Sequence, residues 1–255
     1  MRLASAMKKT LKLLVLGEPG IRERKIRLGL LRDLNFHVDT TSKAMRLVGL
    51  DEREIASHLR FLAGNAKCAI DIGASDGWYS LFCASLPTID SVYAFEPSAE
   101  LNAVFEDNFR VNAAVFRKKT TLIKKFVGCE EDGVWQTHGI DLARPNPNLT
   151  KTFFSDGDTF CTVDRELPHL PRPVLFKIDV DGGEFDVLKG ARHTLSTGHA
   201  SLIVETHTPE LENWCIEFVE EIGYRTTIVK NGWYRAVVPE MRPIAHNRWF
   251  IATNT

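Results

Sequence analysis

Five acidic residues and one histidine stand at spacings that could do chemistry. Asp71 opens the run Asp71-Ile72-Gly73-Ala74-Ser75-Asp76-Gly77, and Glu96 follows the apolar stretch Ser91 to Phe95. Further on, Asp179 and Asp181 close Val174-Leu175-Phe176-Lys177-Ile178, and Glu205-Thr206-His207 close Leu202-Ile203-Val204. An acid before a glycine loop, with a second acid one strand later, is the pattern that holds a nucleoside-type cofactor by its ribose. The dinucleotide fingerprint needs three spaced glycines and a pyrophosphate on a helix end. Here Asp71 and Asp76 flank the loop, which disfavours a pyrophosphate and favours a cationic amino-acid ligand. S-adenosylmethionine carries an ammonium, a sulfonium and a ribose diol, and no phosphate. The residues expected to hold it are Asp71, Gly73, Ala74, Ser75, Gly77 and Glu96.

These residues need particular elements beneath them. Cys68-Ala69-Ile70 is read as a strand, and Ser80 to Leu86 as a helix stopped by Pro87. Between them the glycines permit a sharp turn, and the helix start offers free N–H groups. Ser91 to Phe95 is a second strand. Pro97-Ser98 opens a second helix, with Leu101, Val104, Phe105 and Phe109 on its buried face. Thr120 to Val127 is a third strand. Residues 128–173 are rich in Pro and Asn and read as loop, either a substrate-binding or cofactor-covering surface or a structural connection. Val174 to Ile178 and Leu202 to Val204 are the fourth and fifth strands. Leu211, Trp214, Cys215, Phe218, Val219 and Ile222 mark an amphipathic helix ended by Gly223. Tyr224 to Val229, Asn231-Gly232 and Trp233 to Val238 read as a hairpin, and Trp249-Phe250-Ile251 as a last strand. The pattern predicts an α/β fold with a mostly parallel seven-stranded sheet and a terminal antiparallel hairpin.

Residues 1–64 form an N-terminal extension, read as a cap or dimer element before a main domain over 65–255. A short helix is predicted over Lys8 to Leu16, a solvated basic face over Arg22 to Arg27, and a strand over Leu34 to Val38. Asp51 is expected to cap a helix, with Glu54 three residues on and Ile55, Leu59 and Leu62 along one face up to Gly64.

The 255 residues carry 32 basic and 33 acidic side chains, a formal charge of −1. That supplies no field for nucleic acid or an anionic membrane surface. No stretch approaches the ~20 apolar residues of a membrane span. The five cysteines are scattered, with no CxxC pair, so neither zinc nor a disulfide framework is expected. The expectation is a cytoplasmic protein of a reducing compartment, without nucleic-acid or membrane partners.

Three segments resemble one family. AIDIGASDGWYSLFCA (69–84) with YAFEPS (93–98), FKIDVDGGEFDVLKGA (176–191) and IVETH (203–207) are similar to the FkbM-type methyltransferases. The second segment is the specific one, with Asp181 where the family often has Glu. The resemblance covers about residues 65–210. It implies the Rossmann-like class I methyltransferase fold and methyl transfer from S-adenosylmethionine, typically to a hydroxyl of a sugar, glycan or secondary metabolite. It also implies that Asp71, Gly73, Ser75, Gly77 and Glu96 hold the cofactor, and that Asp179, Glu205 and His207 line the reaction end.

Transfer to a weakly nucleophilic hydroxyl calls for a base or a metal. His207, titrating in the useful range, is the expected base; the bland alternative is a histidine capping the next helix. A second mechanism places Mg²⁺ on Asp179, Asp181 and Glu205. Competing functions are an NAD-dependent oxidoreductase, a non-catalytic cofactor binder and a nucleic-acid methyltransferase. The loop acids, the strand-end acids and the near-neutral charge weigh against each in turn. The acceptor is expected to be a small molecule or glycan, and a homodimer is the assembly left open.

Overall fold

The computed structural model describes residues 20–112, 116, 119–135, 159–230, 232, 246 and 248–254. The predicted helix over Lys8 to Leu16, the Asn231 turn with Trp233 to Val238, and the Pro/Asn-rich run at 144–148 lie outside these residues.

Seven strands form the central sheet: β3 (Cys68–Ile72), β4 (Ser91–Phe95), β5 (Thr120–Ile123), β10 (Val174–Ile178), β11 (Ala200–Thr206), β12 (Arg225–Val229) and β13 (Arg248–Thr253). Their order is β12-β13-β11-β10-β3-β4-β5. The pairs from β11 to β5 are all parallel; β13 runs antiparallel to both β11 and β12. The terminal antiparallel pair is therefore Arg225–Val229 with Arg248–Thr253, and the predicted last strand is its second member. The predicted third strand is shorter than Thr120 to Val127. It stops at Ile123, and β6 (Phe126–Val127) pairs instead with β9 (Phe160–Cys161) in a separate ribbon; β7 (Glu130–Glu131) and β8 (Val134–Trp135) pair between them, and the short α4 (Val163–Glu166) follows.

Parallel strands buried on both faces read as continuous apolar runs, and β3 and β10 are buried along their whole length. Side chains still alternate between the faces. Cys68, Ile70, Ile72, Phe176, Ile178, Leu202 and Val204 share one core with α5 (Glu184–Gly190), α6 (Arg192–Ser196) and α7 (Pro209–Glu221). Ala69, Leu175 and Ile203 face the other core, with α2 (Trp78–Ser85) and α3 (Ala99–Val111). The same parity sends Asp71, Lys177 and Glu205 to that second face, near the carboxyl ends of their strands. β3 starts the sheet at its centre and has β4 on one side and β10 on the other. That switch point is where an open α/β sheet leaves a crevice.

The N-terminal extension shares the second core. Ile26, Leu31, Phe36, Val38, Ile55 and Leu59 pack with Trp78, Phe82 and Phe109. It comprises the hairpin β1 (Ile21–Lys25) and β2 (Asn35–Asp39), a 3₁₀ turn at Ala44–Val48, and α1 (Arg53–Gly64). Most of Ile21–Lys25 is solvent-exposed, in keeping with a solvated basic face. The backbone N–H of His37 donates to Asn108 Oδ1 at 2.7 Å and that of Asn35 to Asn112 Oδ1 at 2.9 Å, which ties β2 to α3. Buried on α3 are Asn102, Phe105, Asn108 and Phe109; the predicted Leu101 and Val104 are only half-buried. Asp51 does not cap α1. Glu52 holds the N-cap position with positive φ, and the Asp51 carboxylate accepts from Arg46 Nε at 2.9 Å.

Candidate active site

The glycine loop is closed upon itself. The N–H groups of Gly73 and Ala74 both donate to the Phe95 carbonyl at 3.0 and 2.9 Å. Ser75 N–H donates to Glu96 Oε2 at 2.9 Å, and Gly77 N–H to the Ala74 carbonyl. These four N–H groups are engaged within the protein. Gly73 and Gly77 both take positive φ, +76° and +87°. Close approach also constrains them, but from the protein itself. A Cβ on Gly73 would lie 1.8 Å from the Asp179 carbonyl oxygen, and one on Gly77 would lie 2.8 Å from the Phe105 ring.

Glu96 sits where predicted. Its Oε2 accepts from Ser75 and its Oε1 from Ser98 N–H at 2.8 Å, which fixes the carboxylate beside the loop. Burial raises its pKa above the usual carboxylate value. Asp71 is held by neighbours within the protein. It is 2% exposed, its Oδ2 accepts from Ser80 Oγ at 2.6 Å, and Oδ1 lies 3.6 Å from Lys177 Nζ. Desolvation raises its carboxyl pKa as well. Asp71 thus supports the floor of the crevice. Asp76 is tied to the extension. Its carboxylate is taken by Arg46 Nη1 at 2.6 Å and Lys43 Nζ at 3.0 Å. Burial alone would raise the Asp76 carboxyl, yet these two cations hold it below its ordinary value.

Lys177 links the two halves of the crevice, and sequence reasoning did not single it out. It pairs in register with Asp71 across the parallel strands and also lies 3.4 Å from Asp179 Oδ2. Its ammonium stands over the Tyr79 ring, 4.9 Å from the centroid. Burial would lower its pKa, but Asp179, Asp71 and Glu52 keep it above the usual lysine value. Glu52, from the extension, accepts a hydrogen bond from the Tyr79 hydroxyl. Burial, then Asp51 and Asp179, push its carboxyl up to about 7. The lysine was visible in Phe176-Lys177-Ile178 as a lone charge inside an apolar run. No signal in the sequence placed Glu52 there.

The second half of the crevice is the cluster predicted at the strand ends. Asp179, Glu205 and His207 each offer one ligand atom, all within 4.8 Å of one another. His207 is 4% exposed and Glu205 is fully buried. His207 Nδ1 bonds Glu184 Oε1 at 2.6 Å; Nε2 lies 3.2 Å from Asp181 Oδ1 and 3.7 Å from both Asp179 Oδ1 and Glu205 Oε2. Glu184 Oε1 also accepts from Gly182 N–H at 2.9 Å, so the turn after β10 orients the imidazole. One reading of His207 is corrected: it does not cap the next helix, because Thr208 does so, its side chain accepting from Leu211 N–H. Burial would lower the His207 pKa, but Glu184, Asp179 and Asp181 raise it to about 9.

Residues 71–226 match the methyltransferase FkbM domain. No curated protein sequence matches the chain. Among solved structures, methyltransferase FkbM from Methylobacillus flagellatus KT aligns with a TM-score of 0.53 at 15% identity, over 73% of this chain and 43% of that one. This chain therefore corresponds to less than half of that protein. A precorrin-6y C5,15-methyltransferase from Geobacter metallireducens GS-15 aligns at 13% identity and a TM-score of 0.45, over 78% of this chain and 88% of its own. An rRNA methylase from Streptococcus thermophilus aligns at 14% and 0.47, over 80% and 97%. The first of these likenesses concerns the fold alone, and the other two are too distant to argue from. The domain match spans more than half of the chain, from Asp71 past His207, and on that ground the chain belongs to the FkbM family of methyltransferases.

Proposed function

We propose that the protein transfers a methyl group from S-adenosylmethionine to a hydroxyl of a sugar, glycan or other small metabolite. The observation that carries this reading is the contact at Gly73, where the cofactor-type loop lies against Asp179 of the strand-end cluster. A site for the cofactor and a site for proton chemistry thus adjoin.

The residues fit the cofactor. A phosphate would need free N–H donors, and those of Gly73, Ala74, Ser75 and Gly77 are engaged. A ribose diol needs acceptors. Each Glu96 oxygen accepts one backbone N–H and keeps a further lone pair. Glu96 would hold the ribose, Gly73 to Gly77 would form the wall, and Asp71 would support that wall through Ser80 and Lys177. When bound, S-adenosylmethionine supplies an electrophilic methyl carbon and leaves as a neutral thioether.

The chain's own residues handle the acceptor. Asp179, with 19% of its side chain exposed, would take the hydroxyl proton; Glu205, at 1%, is too enclosed to pass one on. His207 would position these acids. The formal charge of −1 supports a small acceptor over nucleic acid. Five unpaired, buried cysteines support a reducing, cytoplasmic setting. Calorimetry should show S-adenosylhomocysteine binding and no NAD binding; the reverse would sink the reading. Label from the cofactor should pass to hydroxyls in a panel of sugars, and transfer to amines or carbon alone would remove the O-methyl assignment.

A further inference from the structure

We propose that Asp179, Glu205 and His207 bind one divalent transition-metal ion of the manganese-to-zinc series. The proposal deepens the methyl-transfer reading. What the ion does rests on that reading, but its binding does not.

Ligand atoms about 2.1 Å from a common ion lie roughly 3–4 Å apart. His207 Nε2 stands 3.7 Å from an oxygen of Asp179 and 3.7 Å from one of Glu205. The second observation is the imidazole itself. Nε2 is buried and makes no hydrogen bond, although it points among three carboxylates. Nδ1 is held by Glu184, whose oxygen is fixed in turn by Gly182 N–H. A carboxylate on the far nitrogen is the arrangement that orients a ligating histidine and strengthens its donor nitrogen. Asp179, Asp181, Glu184 and Glu205 surround that imidazole.

The donor set selects the metal. Oxygen-only sites suit Mg²⁺, and a buried imidazole shifts preference toward Mn²⁺, Fe²⁺ or Zn²⁺. Three protein ligands leave positions open. Asp181, 39% exposed, lies beside the cluster, 3.2 Å from His207 Nε2. An acceptor hydroxyl bound there would lose its proton more readily, because the ion stabilises the alkoxide. Asp179 Oδ2, 3.4 Å from Lys177 Nζ, would take that proton.

The test uses the full chain stripped of metal and free of S-adenosyl ligands. Titration with Mn²⁺ should show one ion per chain, bound more tightly than Mg²⁺. The electron spin-echo spectrum of that Mn²⁺ should carry nitrogen modulation from an imidazole. His207→Ala should abolish the modulation and weaken binding more than about 100-fold, and Glu184→Gln should weaken it about 10–100-fold. Asp179→Asn, at the more exposed ligand, guards against misfolding of the buried variants and should also weaken binding. Mn²⁺ binding without nitrogen modulation, or binding undiminished in Asp179→Asn, would overturn the proposal. So would no Mn²⁺ binding to a wild-type chain that still binds S-adenosylhomocysteine. If Mn²⁺ binds with nitrogen modulation and S-adenosylhomocysteine does not bind, the cofactor reading falls and the metal site stands.

Discussion

The glycine loop and the strand-end cluster lie on either side of Gly73, and they treat their polar atoms in opposite ways. In the loop, the N–H groups of Gly73, Ala74, Ser75 and Gly77 all find acceptors, and both Glu96 oxygens are pinned by backbone. In the cluster, a buried imidazole nitrogen makes no hydrogen bond among three carboxylates. Backbone hydrogen bonds fix a shape at little electrostatic cost. Concentrated buried charge costs stability and persists where it has a use. The loop thus reads as a rigid wall to be bound against, and the cluster as the reactive side.

The largest effect should come from the residue the two regions share. In Gly73→Ala, positive φ and a Cβ 1.8 Å from the Asp179 carbonyl act together. The expected loss of stability is about 3–5 kcal/mol, measured by urea unfolding. Gly77→Ala should lose less, about 1–3 kcal/mol, because its obstacle is the Phe105 side chain and not backbone. Equal losses would mean that the backbone contact between the two regions does not set the packing. Next comes Asp179→Asn. It should lower kcat by about 10²–10⁴-fold and leave S-adenosylhomocysteine affinity nearly unchanged. A variant that kept its kcat would move the chemistry off the cluster.

The two regions also differed in how far they could be read from the sequence. The strand-loop-helix from Cys68 to Ser85 was legible because local patterns encode it: an apolar run, two glycines, a helix stopped before Pro87. Glu96, Asp179, Glu205 and His207 were found because each lies at or just past the end of an apolar run, and a parallel sheet brings such ends together. What failed depended on distant partners. No local signal told that Asp76 would pair with Arg46 and Lys43 of the extension. Asp51 looked like a cap, but Arg46 claimed its carboxylate. The His207 pKa could not be read because Glu184, 23 positions away, sets it through space.

A smaller effect is expected on the loop side. Glu96→Ala should weaken S-adenosylhomocysteine binding by about 1–3 kcal/mol, the cost of removing a charged acceptor. Amide exchange at Ser75 and Ser98 should accelerate too, since both N–H groups lose their acceptor. Weaker binding with unchanged exchange would mean that Glu96 contacts the ligand without shaping the loop. Unchanged affinity would remove it from the site.

The smallest effect should test whether the wall draws its rigidity from the extension. Asp76 is held by buried Arg46 and by Lys43, whose side chain is 33% exposed. Solvent screens the lysine, so Lys43→Ala should cost only about 0.2–1 kcal/mol near neutral pH. The sign of its pH dependence follows from the lowered Asp76 pKa. A carboxyl whose folded pKa is depressed stabilises the fold above its unfolded value of about 3.9, and that stabilisation is lost as pH falls through the folded pKa. The unfolding free energies of wild type and Lys43→Ala should therefore differ at pH 7 and converge in acid, once Asp76 is protonated and has no charge for the lysine to meet. Arg46 keeps a second acid partner, Asp51, at 2.9 Å, and still stacks 4.8 Å from the Trp78 ring centroid. The extension should thus remain docked while the difference closes. A gap that persisted once Asp76 is protonated would show Lys43 acting through its packing and not through Asp76.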